Sequence, residues 1–268
     1  MADPLADARL KLKRAHEHLQ STDSAFYWFN RDKPYRIVAE PNQEGTHKVV
    51  KVRFQGLSIE RLAVISADAI HNMHSALDHL ACALAARNKF SGDMRNIYFP
   101  IRQSERAFES PGSKGAIQAQ FGLDVLEFLV ELKPYQGGND VLWAVNELDR
   151  IDKHQAIIKL KFAHQVTSVK EEGTGAFEVF LKPQWASADE DVEVARYPVD
   201  SNPEYRIQVI SAVAFGHVDA LNDTPIVLAL ITMFQMVEAV IIEATRRFFP
   251  DVFVGGTIIH VGQHNPGL

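Results

Sequence analysis

Counted from Asp68, the residues His71, Asn72, Ser75, Asp78 and His79 follow at spacings that are three, four or sums of the two. On an α-helix that spacing gathers them within about 120° of one face. The face then carries two carboxylates, two imidazoles, an amide and a hydroxyl. An imidazole exchanges protons near neutral pH and a neighbouring carboxylate can orient it, so acid–base chemistry is one use of such a set. Holding a divalent metal such as zinc, iron or manganese is another. The segment's surroundings matter as much as its residues. Between Arg61 and Arg87 there is no Lys, Arg, Glu or Gln, the types that coat the wet side of a helix. A helix without them is expected to be sheltered, and a sheltered polar group left unpaired costs about 1–3 kcal/mol.

A second set lies at Glu147, Arg150 and His154, spaced i, i+3 and i+7 with Trp143 one turn before. Such a trio can serve as orienting carboxylate, anion clamp and proton carrier. If the two helices face each other, His79 and His71 would act as base or ligand, with Asp78 and Asp68 orienting them. Glu147, Arg150 and His154 would be the partners across the gap, and Asn72, Ser75 and Trp143 would contact a small polar ligand. Gln235 and Glu238 could add a third wall. A divalent metal stays open as a cofactor, although the ferritin-type pair of helical Glu-x-x-His motifs and His-Glu-x-x-His are both absent. His74 falls beside the stripe and is assigned no role, and Asp149 with Lys153 reads as a structural i,i+4 pair pointing elsewhere. The same polar residues also suit a non-enzymatic scaffold, in which they bond only to each other and fix helix register.

The elements that must position these groups can be read from periodicity. Leu5, Leu12, Ala15, Leu19, Phe26 and Phe29 mark a first amphipathic helix over the first thirty residues. Two alternating stretches around Pro-Asn-Gln-Glu-Gly then predict a hairpin at about 35–56. The polar-striped helix runs from Ser58 to about Asn88. Residues 91–118, rich in Ser, Gly and Arg, read as a long loop with one short helical turn. Next come a helix over Leu123–Leu132 and one from Asp140 to about Lys161. Alternating segments over about 163–216 predict an antiparallel sheet. Thr224-Pro225 opens a last helix over Ile226–Phe248, whose apolar run is broken by Gln235, Glu238 and Glu243 and therefore reads as a core helix and not a membrane span. The expected fold is one α+β domain over 1–268: about four main helices, an inserted β-hairpin and an additional antiparallel sheet.

Composition narrows the function classes. The chain has 268 residues, 46% of them hydrophobic, and a formal charge of −6, which argues against a surface devoted to phosphate backbones. The single Cys82 cannot form an intrachain disulfide, and no stretch of signal-peptide type opens the sequence, so a cytoplasmic protein without a membrane partner is expected. His260 and His264 fall in a Gly-rich tail. No Walker loop, dinucleotide fingerprint or nucleophile elbow is present.

The segments His71-Asn-Met-His-Ser-Ala-Leu-Asp-His-Leu-Ala81 and Leu142-Trp-Ala-Val-Asn-Glu-Leu-Asp-Arg-Ile-Asp-Lys-His154 resemble a family of uncharacterised bacterial proteins, together with Phe99-Pro100-Ile101 and Pro134-Tyr135. That resemblance carries no activity. More loosely, a helical bundle with Arg and His at a helix end is similar to HEPN-type ribonucleases. It implies metal-independent RNA cleavage at a homodimer interface, with Arg150 stabilising the phosphate and His154 moving protons. Here three residues separate Arg150 from His154, where that family has four to six.

Overall fold

A computed structural model describes residues 3–32, 35–54, 58–154, 158–172, 177–180, 184–186, 190–201, 203–216, 218, 221 and 223–252. His260 and His264 lie outside them. Seven α-helices and seven strands are present among the described residues: α1 Ala6–Asp32, β1 Tyr35–Pro41, β2 His47–Phe54, α2 Ser58–Arg87, α3 Glu105–Glu109, α4 Pro111–Phe121, α5 Leu123–Leu132, α6 Asp140–His154, β3 Leu160–Glu172, β4 Glu178–Val179, β5 Gln184–Ala186, β6 Val192–Pro198, β7 Glu204–Phe215 and α7 Ile226–Phe248. The class is α+β. The chain divides into two compact units, one of residues 1–20, 66–155 and 230–268, the other of residues 21–65 and 156–229.

The first unit is built from helices. Leu5 just before α1, Leu12 and Ala15 of α1, Ile70, Met73, Leu77, Leu80 and Leu84 of α2, Leu142 and Val145 of α6, and Phe234, Val237 and Ile241 of α7 are all buried. Each set keeps the three-to-four spacing of an apolar stripe. Side-chain contacts tie the elements together. The His16 ring on α1 lies 5.4 Å from Phe234 on α7, Asn139 before α6 reaches Met236, and Arg87 at the end of α2 binds Asp124 on α5. α7 is the one described helix long and apolar enough to cross a membrane, and its inward stripe is fully covered.

The second unit contains all the described strands. Asn42 Oδ1 accepts from the Thr46 and His47 amides at 2.9 and 3.1 Å and Gly45 supplies a φ of +69°, which closes the β1–β2 hairpin. β2 pairs antiparallel with β6, with Val50 opposite Ala195, and β4 adds to the far edge. Val50, Val52, Val192, Val194, Ala195 and Tyr197 form the apolar layer of that sheet. The expectation of a hairpin and one separate sheet is corrected in its pairing. β6 and β4 join the hairpin in the order β1-β2-β6-β4, while β5-β3-β7 make a second sheet.

Two helical boundaries also differ from expectation. The segment expected to be a loop over 91–118 contains α3 and the start of α4. Ser104 caps α3 by accepting from the Ala107 amide, and Ser110 caps α4 by accepting from Ser113, with Pro111 in the first turn. Ser and Pro are cap signals here and not loop signals. α6 stops at His154, and Leu160 and Lys161 belong to β3, where Leu160 faces Phe215. Removing the Ser110 hydroxyl tests the cap assignment: Ser110→Ala is expected to lower unfolding free energy by about 1 kcal/mol in urea denaturation, and an unchanged midpoint would contradict it.

Candidate functional site

The polar stripe of α2 is sheltered as its composition requires. From Ser66 to Ala85 only Asp68 is exposed. The helix facing it is α6, and the centre of the contact is Asp149, whose spacing to Lys153 suggests an outward-pointing structural pair. Asp149 is 4% exposed and meets three nitrogens. His71 Nδ1 lies 2.9 Å from Oδ1, and Oδ2 lies 3.4 Å from His74 Nδ1 and 2.6 Å from Lys153 Nζ. The Asp149–Lys153 pair therefore exists, but its carboxylate points at α2.

His74, assigned no role from spacing, is the other member of this hub. Its side chain is 12% exposed, with Nδ1 3.4 Å from Asp78 Oδ2 as well as from Asp149 Oδ2. Neither contact is aligned as a hydrogen bond, so Nδ1 is buried between two carboxylates without an acceptor in line. Its Nε2 lies 3.2 Å from Asn146 Oδ1. A nitrogen lone pair aimed at two carboxylates would be repelled, whereas an N–H is attracted. Burial alone would lower the His74 pKa, with Lys153 assisting, but the Asp78 and Asp149 carboxylates outweigh it and hold the value above the ordinary 6.5.

The stripe thus sorts into two kinds of residue. Asp78 Oδ1 accepts from the Phe99 amide at 2.9 Å and fixes the chain after α2. Asn72 turns back to the Asp68 carbonyl at 2.8 Å. These groups, with His74, are consumed by structure. His71 is not. Its ring is 43% exposed, and Nε2 has no hydrogen-bond partner among the described residues. Ser75 and His79, one and two turns further on, are half-buried. Asp68 is 54% exposed and stands 3.9 Å from His18 on α1. Burial, Asp149 and Asp68 together raise the Asp152 carboxyl above its usual range, so the exposed end of the seam is acidic. Cys82 offers no thiolate, because burial and the Asp78 charge push its pKa up.

The second set has a different arrangement from the one expected. Glu147 takes both Arg150 Nε and Nη2, at 2.9 and 2.6 Å, and also bonds Gln103; these contacts lower its pKa despite partial burial. Arg150 is therefore occupied, not open to an anion, and His154 is exposed. Trp143 is 8% exposed with a buried Nε1 that finds no hydrogen-bond acceptor among the described residues. On α7, Gln235 is exposed, which corrects its place in a third wall, whereas Glu238 is buried and partnered. Among the described residues no three His, Cys, Asp or Glu side chains are grouped to hold a metal ion.

Asp149 and His74, which spacing alone leaves out of the site, do carry a signal. Leu142, Val145 and Asp149 are spaced i, i+3 and i+7, as are Ile70, His74 and Leu77 in the order i, i+4, i+7, so each polar residue sits inside an apolar stripe. The chain matches no family model, no curated protein and no solved structure. The chemistry open to the site rests on its own side chains.

Stability depends on pH through His74. Its pKa is raised on folding, so its contribution is complete below the unfolded value of 6.5 and is lost as pH rises through the folded value. The stability difference between the wild type and His74→Gln, from chemical denaturation, is expected to be largest near pH 6 and to shrink above it. A difference that stayed constant or grew with pH would contradict a charged His74.

Proposed function

We propose that the α2–α6 seam binds a small polar ligand at His71, Ser75 and His79, with His71 as its acid–base group. The observation that carries this reading is the division within one imidazole. Nδ1 is bonded to the buried Asp149 carboxylate, while the ring is half exposed and Nε2 is unengaged. A carboxylate accepts only, so the pairing places the proton on Nδ1 and leaves the Nε2 lone pair facing outward. An imidazole held this way can accept a hydrogen bond or a proton from a bound group. Ser75 adds a hydroxyl that both donates and accepts. The scaffold alternative accounts for Asn72 and Asp78, which bond internally, and for His74, buried between two carboxylates, but it leaves Nε2 of His71 without a purpose.

The electrostatics select the ligand class. Asp149 binds His71 directly, and burial, together with the Asp149 and Asp68 charges, raises the nearby Asp152 carboxyl. The cations of the facing helix are already paired, Lys153 with Asp149 and Arg150 with Glu147. A neutral or cationic molecule bearing hydroxyl or amine groups fits, and a carboxylate does not.

Ethanolamine and acetate are suitable probes. Histidine ring signals of the full chain, followed by NMR, are expected to move saturably for His71 and His79 with ethanolamine and to respond weakly to acetate. In His71→Gln the ethanolamine affinity is expected to fall about tenfold. No saturable shift, or an affinity unchanged by the substitution, would overturn the proposal.

A further inference from the structure

Most arginines in the helical unit are neutralised by a carboxylate. Arg9 pairs with Asp3, Arg14 with Glu17, Arg87 with Asp124, Arg150 with Glu147, Arg246 with Glu243, and Arg247 with Glu131 and Glu243. Arg102 breaks the pattern. It is half-buried, and its side-chain bonds are to neutral oxygens: Nε donates to Ser113 Oγ at 3.2 Å and Nη1 to the Ile101 carbonyl at 3.4 Å. No carboxylate among the described residues is paired with it. The acids on adjoining residues are engaged elsewhere. Glu105 accepts from the Tyr135 hydroxyl at 3.3 Å, Glu109 pairs with Lys114, and Glu147 holds Arg150 and Gln103.

The Arg102 backbone is also held in place. The Arg102 amide donates to the Pro134 carbonyl at 2.9 Å, and Arg102 forms an isolated bridge with Tyr135. Ser113 is fixed from the other side, because its amide donates to the Ser110 cap at the start of α4. A cation that has lost part of its hydration without gaining a counter-charge is unfavourable, and burial here depresses the Arg102 pKa with no opposing carboxylate. A charge left in that state calls for an anion from outside.

We propose that Arg102 and Ser113 form a binding site for a phosphate group. Arg102 Nη2 and the remaining Nη1 hydrogen present two parallel donors, the fork that grips an oxyanion. Ser113 Oγ accepts from Nε, so its own hydrogen is free to donate to the same ligand. Two fork donors satisfy a planar carboxylate, whereas a third from the serine matches a further oxygen of a tetrahedral phosphate. The first turn of α4 adds favourable potential at the same end. This site shares no residue with the histidine seam.

The test is a titration of the full chain with inorganic phosphate at constant ionic strength, following the backbone amides of Arg102 and Ser113 by NMR. Saturable shifts are expected, with acetate binding more weakly. Affinity should fall about tenfold or more in Arg102→Gln and severalfold in Ser113→Ala. The proposal is overturned if phosphate causes no saturable shift, if acetate binds as tightly, or if Arg102→Gln leaves the affinity unchanged. Should Arg102→Gln fail to fold, Arg102→Lys keeps the charge and removes the fork. It must then bind phosphate more weakly than the wild type, and equal affinity would equally overturn the site.

Discussion

A carboxylate removed from water needs cations and donors around it, and the helical unit is organised around meeting that need at Asp149. An isolated buried charge is far more costly than a packing defect, and removing one partner of a buried pair typically costs about 3–5 kcal/mol. Lys153 comes from the same helix, so it cannot by itself hold two helices together. His71 and His74 come from α2, and their attachment to Asp149 sets which face of α2 meets α6. The absence of long charged side chains along α2 is the counterpart of this arrangement. A Lys or Glu in the stripe would compete for the same polar atoms and hold the two helices apart.

The constraint extends outward from the hub. Asp78 uses one oxygen for His74 and the other for the Phe99 amide, so the polar contact between the helices also anchors the segment that leads to Arg102. Glu147 reaches Gln103 a few residues later. Phe99 is thereby tied to α2, and the Arg102 amide is tied to the Pro134 carbonyl. The uncompensated guanidinium of Arg102 sits on a fixed backbone and not on a wandering loop. His71 differs from its neighbours because only one of its nitrogens is drawn into the hub, while its ring stays partly exposed.

Much of this is legible in the amino-acid order. The long helices emerge from apolar spacing, and the absence of wet-side residues in α2 correctly marks it as sheltered. Helical face finds the candidate polar residues on α2, but face alone does not separate the outward-looking His71 from the inward-looking His74. That distinction depends on where α6 lies. Asp149 is obscured because an i,i+4 Asp–Lys pair is usually solvated, and its place in the Leu142, Val145 stripe is a weaker signal than its charge. Ser104 and Ser110 illustrate a different limit: the same residue types make loops and cap helices, and the residues immediately after them decide between the two. The pairing of β6 with β2 is not local information, since the partners are remote in sequence and alternation specifies a face but not a neighbour.

The most direct measurement of the Asp149-centred seam is a double-mutant cycle between His74 and Asp149, using His74→Gln, Asp149→Asn and the pair, with unfolding free energies taken at about pH 6 where the imidazolium is populated. If the buried carboxylate and the buried imidazole sustain each other, the two substitutions together will cost less than the sum of each alone, with a coupling of about 1–3 kcal/mol. Additive costs would show that the two side chains are near each other without depending on each other, and the seam would lose its organising interaction.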